Sequence, residues 1–242
     1  MRFTVIVPAY NEAKVIKENL IAIRDTLDAF TPDFEILAAD DGSTDDTKDR
    51  ILEASAEDPR IKYAGYDKNR GKGGAVKHGV GLAQGDVIGF IDADLDIAPD
   101  HLVRYLVHMD ETSCDVVIGS KMHKDSELDY PPLRRFVSWG YYMILKVLFG
   151  MKIKDTQTGI KLYRSSYIKK IAPLLRVSGY AFDIEVLALC AYEGAKIDEM
   201  PVNIVFKREA SFGRIRFGDI FKMFFDTVGI WWNLKVRRSY FK

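Results

Sequence analysis

Val87-Ile88-Gly89-Phe90-Ile91-Asp92-Ala93-Asp94-Leu95-Asp96 runs from an uncharged β-rich stretch straight into three acids at alternate positions. A short apolar run of this kind reads as a strand buried on both faces, the habit of parallel sheets. In open α/β sheets ligands bind beyond the carboxyl ends of the strands, so acids placed there point into a crevice. Three carboxylates could offer a hard cation its oxygen ligands and leave vertices for substrate phosphates. The competing reading is a helix start capped at Asp96 or Pro99, with the other acids solvated. Capping accounts for one acid, not three.

Outward from this stretch the first half alternates strand and helix, the mark of βαβ units. Strands are predicted at Phe3–Val7, Phe34–Ala39, Ile61–Tyr66, Val87–Ile91 and Val116–Gly119. Ile16, Leu20, Ile23 and Leu27 share one helical face, and further helices are predicted from Asp45 to Glu57 and from Gly73 to Gln84. After Gly119 a polar loop, Lys121 to Pro132, leads to an aromatic-rich helix from Phe136 to Phe149. A hairpin-like piece at Gly159–Tyr163, a helix near Ile184–Tyr192 and a strand at Ile197–Phe206 follow. The fold class is α/β: a Rossmann-like, mixed but mostly parallel central sheet flanked by helices. Residues 1–216 are expected to form the catalytic domain, and 217–242 an amphipathic helix with a basic tail.

Two further turns carry candidate ligands. Pro8-Ala9-Tyr10-Asn11-Glu12 ends the first strand and Asp40-Asp41-Gly42-Ser43-Thr44-Asp45 the second. Tyr10 can cover a nucleobase face while carboxylates such as Asp40 accept from base or ribose hydroxyls; each turn alone is also an ordinary strand-to-helix connection. Asn69-Arg70-Gly71-Lys72-Gly73-Gly74-Ala75 resembles a phosphate-cradling loop, with Lys72 supplying charge near a helix N-terminus. It has neither P-loop nor dinucleotide-fingerprint spacing.

Lys plus Arg and Asp plus Glu both number 35 among 242 residues, so no global field draws the chain to nucleic acid. Cys114 and Cys190 lack metal-ligand spacing and are expected as buried thiols, in keeping with a reducing cytoplasm. Strand character from Met1 onward argues against a signal peptide, and charges at Lys146, Asp219, Lys222 and Asp226 interrupt the two best membrane-span candidates. A soluble or peripheral protein is expected.

V-P-A-Y-N-E, D-D-G-S-T-D-D-T, N-R-G-K-G-G-A-V and D-A-D, in this order, resemble family 2 glycosyltransferases of GT-A fold over nearly the whole chain. The second half resembles the dolichyl-phosphate glucose and mannose synthases. Gly119-Ser120-Lys121, Asp155-Thr156-Gln157-Thr158-Gly159-Ile160-Lys161-Leu162, Phe182-Asp183-Ile184-Glu185 and Glu199-Met200-Pro201-Val202 carry that likeness. G-K-G-G-A-V and D-T-Q-T-G-I-K-L lean to the glucose type. Two departures stand out: the branch usually has Arg where this chain has Lys121, and its mannose-type members often read D-A-D-L-Q where Asp96 stands.

The resemblance implies single displacement with inversion at the anomeric carbon, from a nucleotide sugar to a polyprenyl phosphate, for glycan or glycoprotein assembly. Asp92, Asp94 and Asp96 would hold Mg²⁺ or Mn²⁺. Asp92, Asp94, Asp155 and Gln157 would be the catalytic residues, with Asp155 and Gln157 near the acceptor phosphate or transferred sugar, or else ordering their loop. Pro8, Ala9, Tyr10, Glu12, Asp40, Asp41, Lys72, Asp92, Ala93 and Lys121 would bind the donor. Arg134, Arg135, Ser138, Arg208 and Arg214 would take the acceptor phosphate, or else the arginines are scattered on a solvated face.

Phe217, Ile220, Phe221, Phe224, Phe225, Val228, Trp231 and Trp232 form an apolar stripe followed by Lys235, Arg237 and Arg238. That pattern suits docking on the cytoplasmic face of a membrane, or else core or a contact between subunits. Three rivals stay open. A family 2 enzyme acting on a sugar hydroxyl would need a general base, for which Asp155 or Asp183 could serve. A sugar nucleotidyltransferase would carry a glycine-rich loop where this chain reads P-A-Y-N-E. A non-catalytic nucleotide-binding module would not call for all three D-A-D-L-D acids.

Overall fold

The computed structural model describes residues 2–126, 132–205 and 217–241. Among these residues seven strands form one sheet: β1 (Phe3–Ala9), β2 (Phe34–Asp40), β3 (Ile61–Tyr63), β4 (Val87–Ile91), β5 (Val116–Ser120), β6 (Ile160–Arg164) and β7 (Ile197–Pro201). Their order is β3-β2-β1-β4-β6-β5-β7. Six strands run the same way and β6 runs against both its neighbours, with Ile91 opposite Ile160 and Ile118 opposite Lys161. The mostly parallel sheet is therefore as expected.

Among the described residues seven α-helices connect the strands and an eighth follows the last: α1 (Ile16–Asp28), α2 (Thr47–Glu57), α3 (Lys72–Leu82), α4 (Asp100–Thr112), α5 (Pro132–Phe149), α6 (Ser165–Ile171), α7 (Phe182–Tyr192) and α8 (Phe217–Trp231). The alternation along β1 assigns the faces. Val5 and Val7 join Ile16, Leu20, Ile51, Leu102 and Tyr105 of α1, α2 and α4 in one core. Ile6 joins Val76, Ile168, Phe182, Leu145 and Ile230 of the other helices in the second. The apolar runs in β1, β2 and β4 are buried on both sides because helices cover both faces. The buried acid Glu35 of β2 accepts from the Thr4 hydroxyl, the Gln84 amide and the Lys62 ammonium, each at 2.8 Å.

Three expectations are corrected. Gly159–Tyr163 is no hairpin: β6 sits in the middle of the sheet, hydrogen-bonded to β4 and β5. The third strand stops at Tyr63, because the chain then turns to bring Tyr66 and Arg70 onto Asp41. The last strand stops at Pro201, leaving Ile204 in an isolated bridge to Ile97.

On α8 the packing face is Met223, Thr227 and Ile230, continued by Leu234 in the turn of π-helix Trp232–Val236. Thr227 bonds the Tyr141 hydroxyl of α5 at 2.8 Å. Of the expected stripe, Phe221 and Phe225 are each 67% exposed, Phe224 and Trp232 are exposed beside them, Val228 and Trp231 are half-buried, and the side chains of Phe217 and Ile220 lie outside the described residues. Among the described residues no helix is long and apolar enough to cross a membrane.

Candidate active site

The loops that leave β1, β2 and β4 at their carboxyl ends are stitched together by short polar side chains. Asn11 takes a left-handed conformation, its amide nitrogen donates to Ser43 Oγ at 3.0 Å, and its side-chain oxygen accepts from the Thr44 amide at 2.9 Å. The Glu12 amide donates to Thr47 Oγ1 at 2.8 Å, and Asp45 accepts from the Ala13 and Thr47 amides. The D-G-S-T-D run thus links the first loop to the second as well as starting α2.

Asp40 accepts from the Ser43 amide at 3.0 Å, and Asp41 accepts from the Tyr66 hydroxyl at 2.5 Å and the Arg70 amide at 2.7 Å. Those bonds bring the glycine-rich loop alongside. Tyr10 stands exposed at the mouth, while Pro8 and Ala9 remain in β1 and form its floor.

Past Ile91 the burial alternates: Ala93, Leu95 and Ile97 are buried, and Asp92, Asp94 and Asp96 are half-exposed. The acids therefore share the solvent side of the crevice. Burial raises the Asp94 carboxyl above its usual range, and the charges of Asp92, Asp96 and Glu12 raise it further. Asp92 is the anchor of the group. Its amide donates to Gly159 O at 3.1 Å, and its Oδ1 pairs with Lys72 Nζ at 2.5 Å. Burial works against the Lys72 charge, but Asp92, Asp183 and Asp94 outweigh it and raise the ammonium. Lys72 opens α3 where a phosphate-binding cation is expected, and in this structure its partner is a carboxylate.

Asp155 sits next to this group and is almost fully enclosed. It accepts from the Lys121 amide at 2.8 Å, the Thr158 hydroxyl at 2.6 Å and the Gln157 amide at 3.1 Å, and it pairs with Lys121 Nζ at 3.4 Å. Burial alone would raise this carboxyl, yet Lys121 and those donors hold it below its usual range. Of the two roles expected for Asp155, loop ordering is the one these bonds serve.

Lys161 was not expected to be a buried cation. It lies wholly inside, donating to Asp183 Oδ1 at 2.7 Å and Thr158 O at 2.5 Å. Burial depresses its ammonium, Asp183 pulls it up, and Lys72 lowers it again. A chain of alternating charges, Asp92, Lys72, Asp183 and Lys161, thus runs beneath the acidic loop.

Side chains of Arg134, Arg135 and Ser138, at the start of α5, are outside the described residues, as are Arg208 and Arg214 altogether. At the opposite, amino-terminal end of the sheet, His108, Cys114 and Asp198 bring ligating atoms within 4.8 Å of one another. A cavity of about 380 Å³ borders His108 and Asp198 and touches none of the acidic-loop residues. Both cysteines are buried and unpaired, as expected.

The profile of Glycosyl transferase family 2 matches residues 4–172. Glycosyltransferase AglD of Haloferax volcanii is 28% identical over 236 residues, which cover 97% of this chain and 38% of that protein. Dolichyl-phosphate beta-glucosyltransferase of Saccharomyces cerevisiae is 31% identical, covering 83% of this chain and 66% of the yeast protein. Undecaprenyl-phosphate mannosyltransferase of Micrococcus luteus is 30% identical, covering 85% and 84%. The chain therefore spans between 38% and 84% of the length of these relatives. Among solved structures, glucosyl-3-phosphoglycerate synthase of Mycobacterium tuberculosis, complexed with Mn²⁺, UDP and phosphoglyceric acid, superposes with a TM-score of 0.69. It is 18% identical, the match covers 96% of this chain and 78% of that one, and the likeness is one of fold.

Proposed function

Because the chain belongs to glycosyl transferase family 2, we propose that it moves a hexose from a nucleoside diphosphate sugar to a polyprenyl phosphate of dolichyl type, with inversion. UDP-glucose is the favoured donor and GDP-mannose the next, in keeping with the yeast and Micrococcus luteus relatives.

One observation carries the choice of acceptor. A sugar hydroxyl must lose its proton during attack, and the two acids suited to take it, Asp155 and Asp183, are both enclosed in ion pairs, with Lys121 and Lys161. A lipid phosphate arrives already ionised and asks only for orientation, so neutralised acids near the acceptor are no handicap.

On the donor side Tyr10 covers the base, and Glu12, Asp40, Asp41 and Ala93 shape the nucleoside pocket. Lys72 is poised on Asp92 and turns its charge to the diphosphate when the donor enters. Asp92, Asp94 and Asp96 supply oxygen ligands of the kind Mg²⁺ or Mn²⁺ takes, and a divalent cation would relieve the crowding that raises Asp94; their carboxylates do not converge on one point here, so binding the ion would have to draw them together. Asp94 and Asp96 would hold it, with Asp92 touching metal, ribose or sugar; when bound, the ion offsets charge developing on the leaving nucleotide. The cations at Arg134, Arg135, Arg208 and Arg214, with Ser138, receive the acceptor phosphate. Phe221, Phe224, Phe225 and Trp232 rest on the cytoplasmic face of the membrane that holds the lipid.

The test is a panel of radiolabelled nucleotide sugars incubated with dolichyl phosphate, with and without EDTA, scoring label in the organic phase. Metal-dependent label from UDP-glucose is the expected result. Label entering only water-soluble product would discard the lipid acceptor and restore the hydroxyl reading.

A further inference from the structure

The loop of residues 176–180 touches the candidate donor site at one end and a distant segment at the other. At the donor end, Ser178 O accepts from the Gly73 amide at 3.1 Å, and Tyr180 O accepts from Gln157 Nε2 at 3.2 Å. Gly71, at φ +80°, passes so close that a Cβ there would lie 2.6 Å from Ser178 O. The backbone that carries Lys72 therefore rests directly on this loop.

At the other end, Glu185 of α7 is completely buried, and its carboxylate accepts from the Arg176 and Val177 amides at 3.0 and 2.9 Å. The same carboxylate accepts from the Tyr240 hydroxyl at 2.6 Å. Arg176 closes the circle: its guanidinium lies 4.4 Å over the Tyr240 ring and donates to Ser239 O at 2.7 Å. No other contact is needed to connect the segment after α8 with the glycine-rich loop.

We propose that Glu185 and Tyr240 are positioning residues: they fix the loop of residues 176–180, and through it the Gly71–Gly73 backbone, so that donor binding and the packing of the segment 232–241 are coupled. This rests on the reading of the crevice as a nucleotide-sugar site. A buried carboxylate shared between loop amides and a phenol transmits force because its alternatives are costly, each lost donor leaving an unsatisfied buried charge. Coupling between sites is reciprocal in free energy. A nucleotide that seats the glycine-rich loop must then tighten the segment after α8, just as loosening that segment must weaken the nucleotide.

The experiment is limited trypsin proteolysis of the full chain with cuts mapped at the exposed Lys235, Arg237 and Arg238. It is run with and without UDP or GDP plus Mn²⁺, next to calorimetric binding of the same nucleotides. Wild-type cleavage at these sites should slow at least about threefold on nucleotide binding. Tyr240→Phe, which keeps the ring, should lose that protection and raise donor KM about fivefold or more with acceptor KM within about twofold. Glu185→Gln is the second variant and should behave alike. Nucleotide binding without protection of the wild-type segment, or Tyr240→Phe with unchanged donor KM and a lowered Tm, would overturn the coupling and leave the donor site standing. Failure of the wild-type chain to bind either nucleotide would overturn both.

Discussion

Replacing Gly159 by Ala separates the position of Asp92 from the stability of the fold. A Cβ at Gly159 would lie 2.2 Å from Asp92 Oδ2 and 2.7 Å from its Cγ, against an ordinary contact of 3.4 Å or more. The carboxylate must therefore withdraw by about 1.2 Å. Nothing forces the backbone to follow, since Gly159 is not among the glycines at positive φ and the clashing atoms end a half-exposed side chain. Rotation of Asp92 breaks its 2.5 Å pair with Lys72, a loss worth at most about 1 kcal/mol at such exposure. Displacing a reacting-site group by about 1 Å costs on the order of 10²-fold in rate, equivalent to about 2.7 kcal/mol of transition-state stabilisation. Gly159→Ala should therefore drop kcat/KM for the nucleotide sugar by roughly 10²-fold while shifting Tm by no more than a few degrees. Scanning calorimetry and initial rates on the same preparation check it. A variant with wild-type kcat/KM would refute the role given to Asp92. A variant that loses Tm and rate together would show that Gly159 serves packing instead.

Asp94→Asn should abolish transfer, leaving circular dichroism and Tm unchanged; near-wild-type turnover would remove Asp94 from the metal set. Lys161→Met strands the enclosed Asp183 carboxylate and should cost about 3–5 kcal/mol in urea unfolding. Much of that loss should return in the double variant Lys161→Met with Asp183→Leu, which removes the orphan charge. Asp58 is held down to about 2, chiefly by hydrogen bonds from Arg60, against an ordinary value of 3.8. Its contribution to stability is complete above the ordinary value and fades as pH falls toward about 2, so the stability gap between wild type and Asp58→Asn should narrow below about pH 4. Phe221→Glu with Phe225→Glu should reduce sedimentation with anionic vesicles by more than about tenfold, at roughly 1.5–3 kcal/mol for each apolar side chain, without altering UDP binding.

The acids after Val87–Ile91 were readable because strand period and topology both send that chain end to the crevice, and local chemistry agreed with global placement. Strand β6 was misjudged for a physical reason: Ile160-Lys161-Leu162-Tyr163 looks like a half-exposed hairpin, since a lysine in a strand is normally an outward residue. It is buried only because Asp183, 22 positions later, supplies its counter-charge. Glu185 belongs to a motif that by itself assigns it no role; an acid inside the apolar run from Phe182 to Cys190 signals a buried carboxylate that must find donors. The donors themselves, Tyr240 and the amides after Leu175, leave no local trace. On α8 the conspicuous aromatics drew attention, but the quieter series Met223, Thr227, Ile230 and Leu234 does the packing.

The reversed strand β6 also changes what this scaffold can be made to do. Each parallel strand delivers its following loop to the crevice, whereas β6 begins there, so what it contributes is the end of the segment before it, 154–159, while 150–153 border the cavity beside His108 and Asp198. The 154–159 loop is anchored on its far side by the register of β6 between β4 and β5, and it meets the donor turns at Gly159, whose carbonyl accepts from the Asp92 amide. Exchange of residues 154–158 between relatives, with Gly159 kept, is accordingly a route to new acceptors on the same donor platform, a modular layout that an all-parallel sheet does not provide.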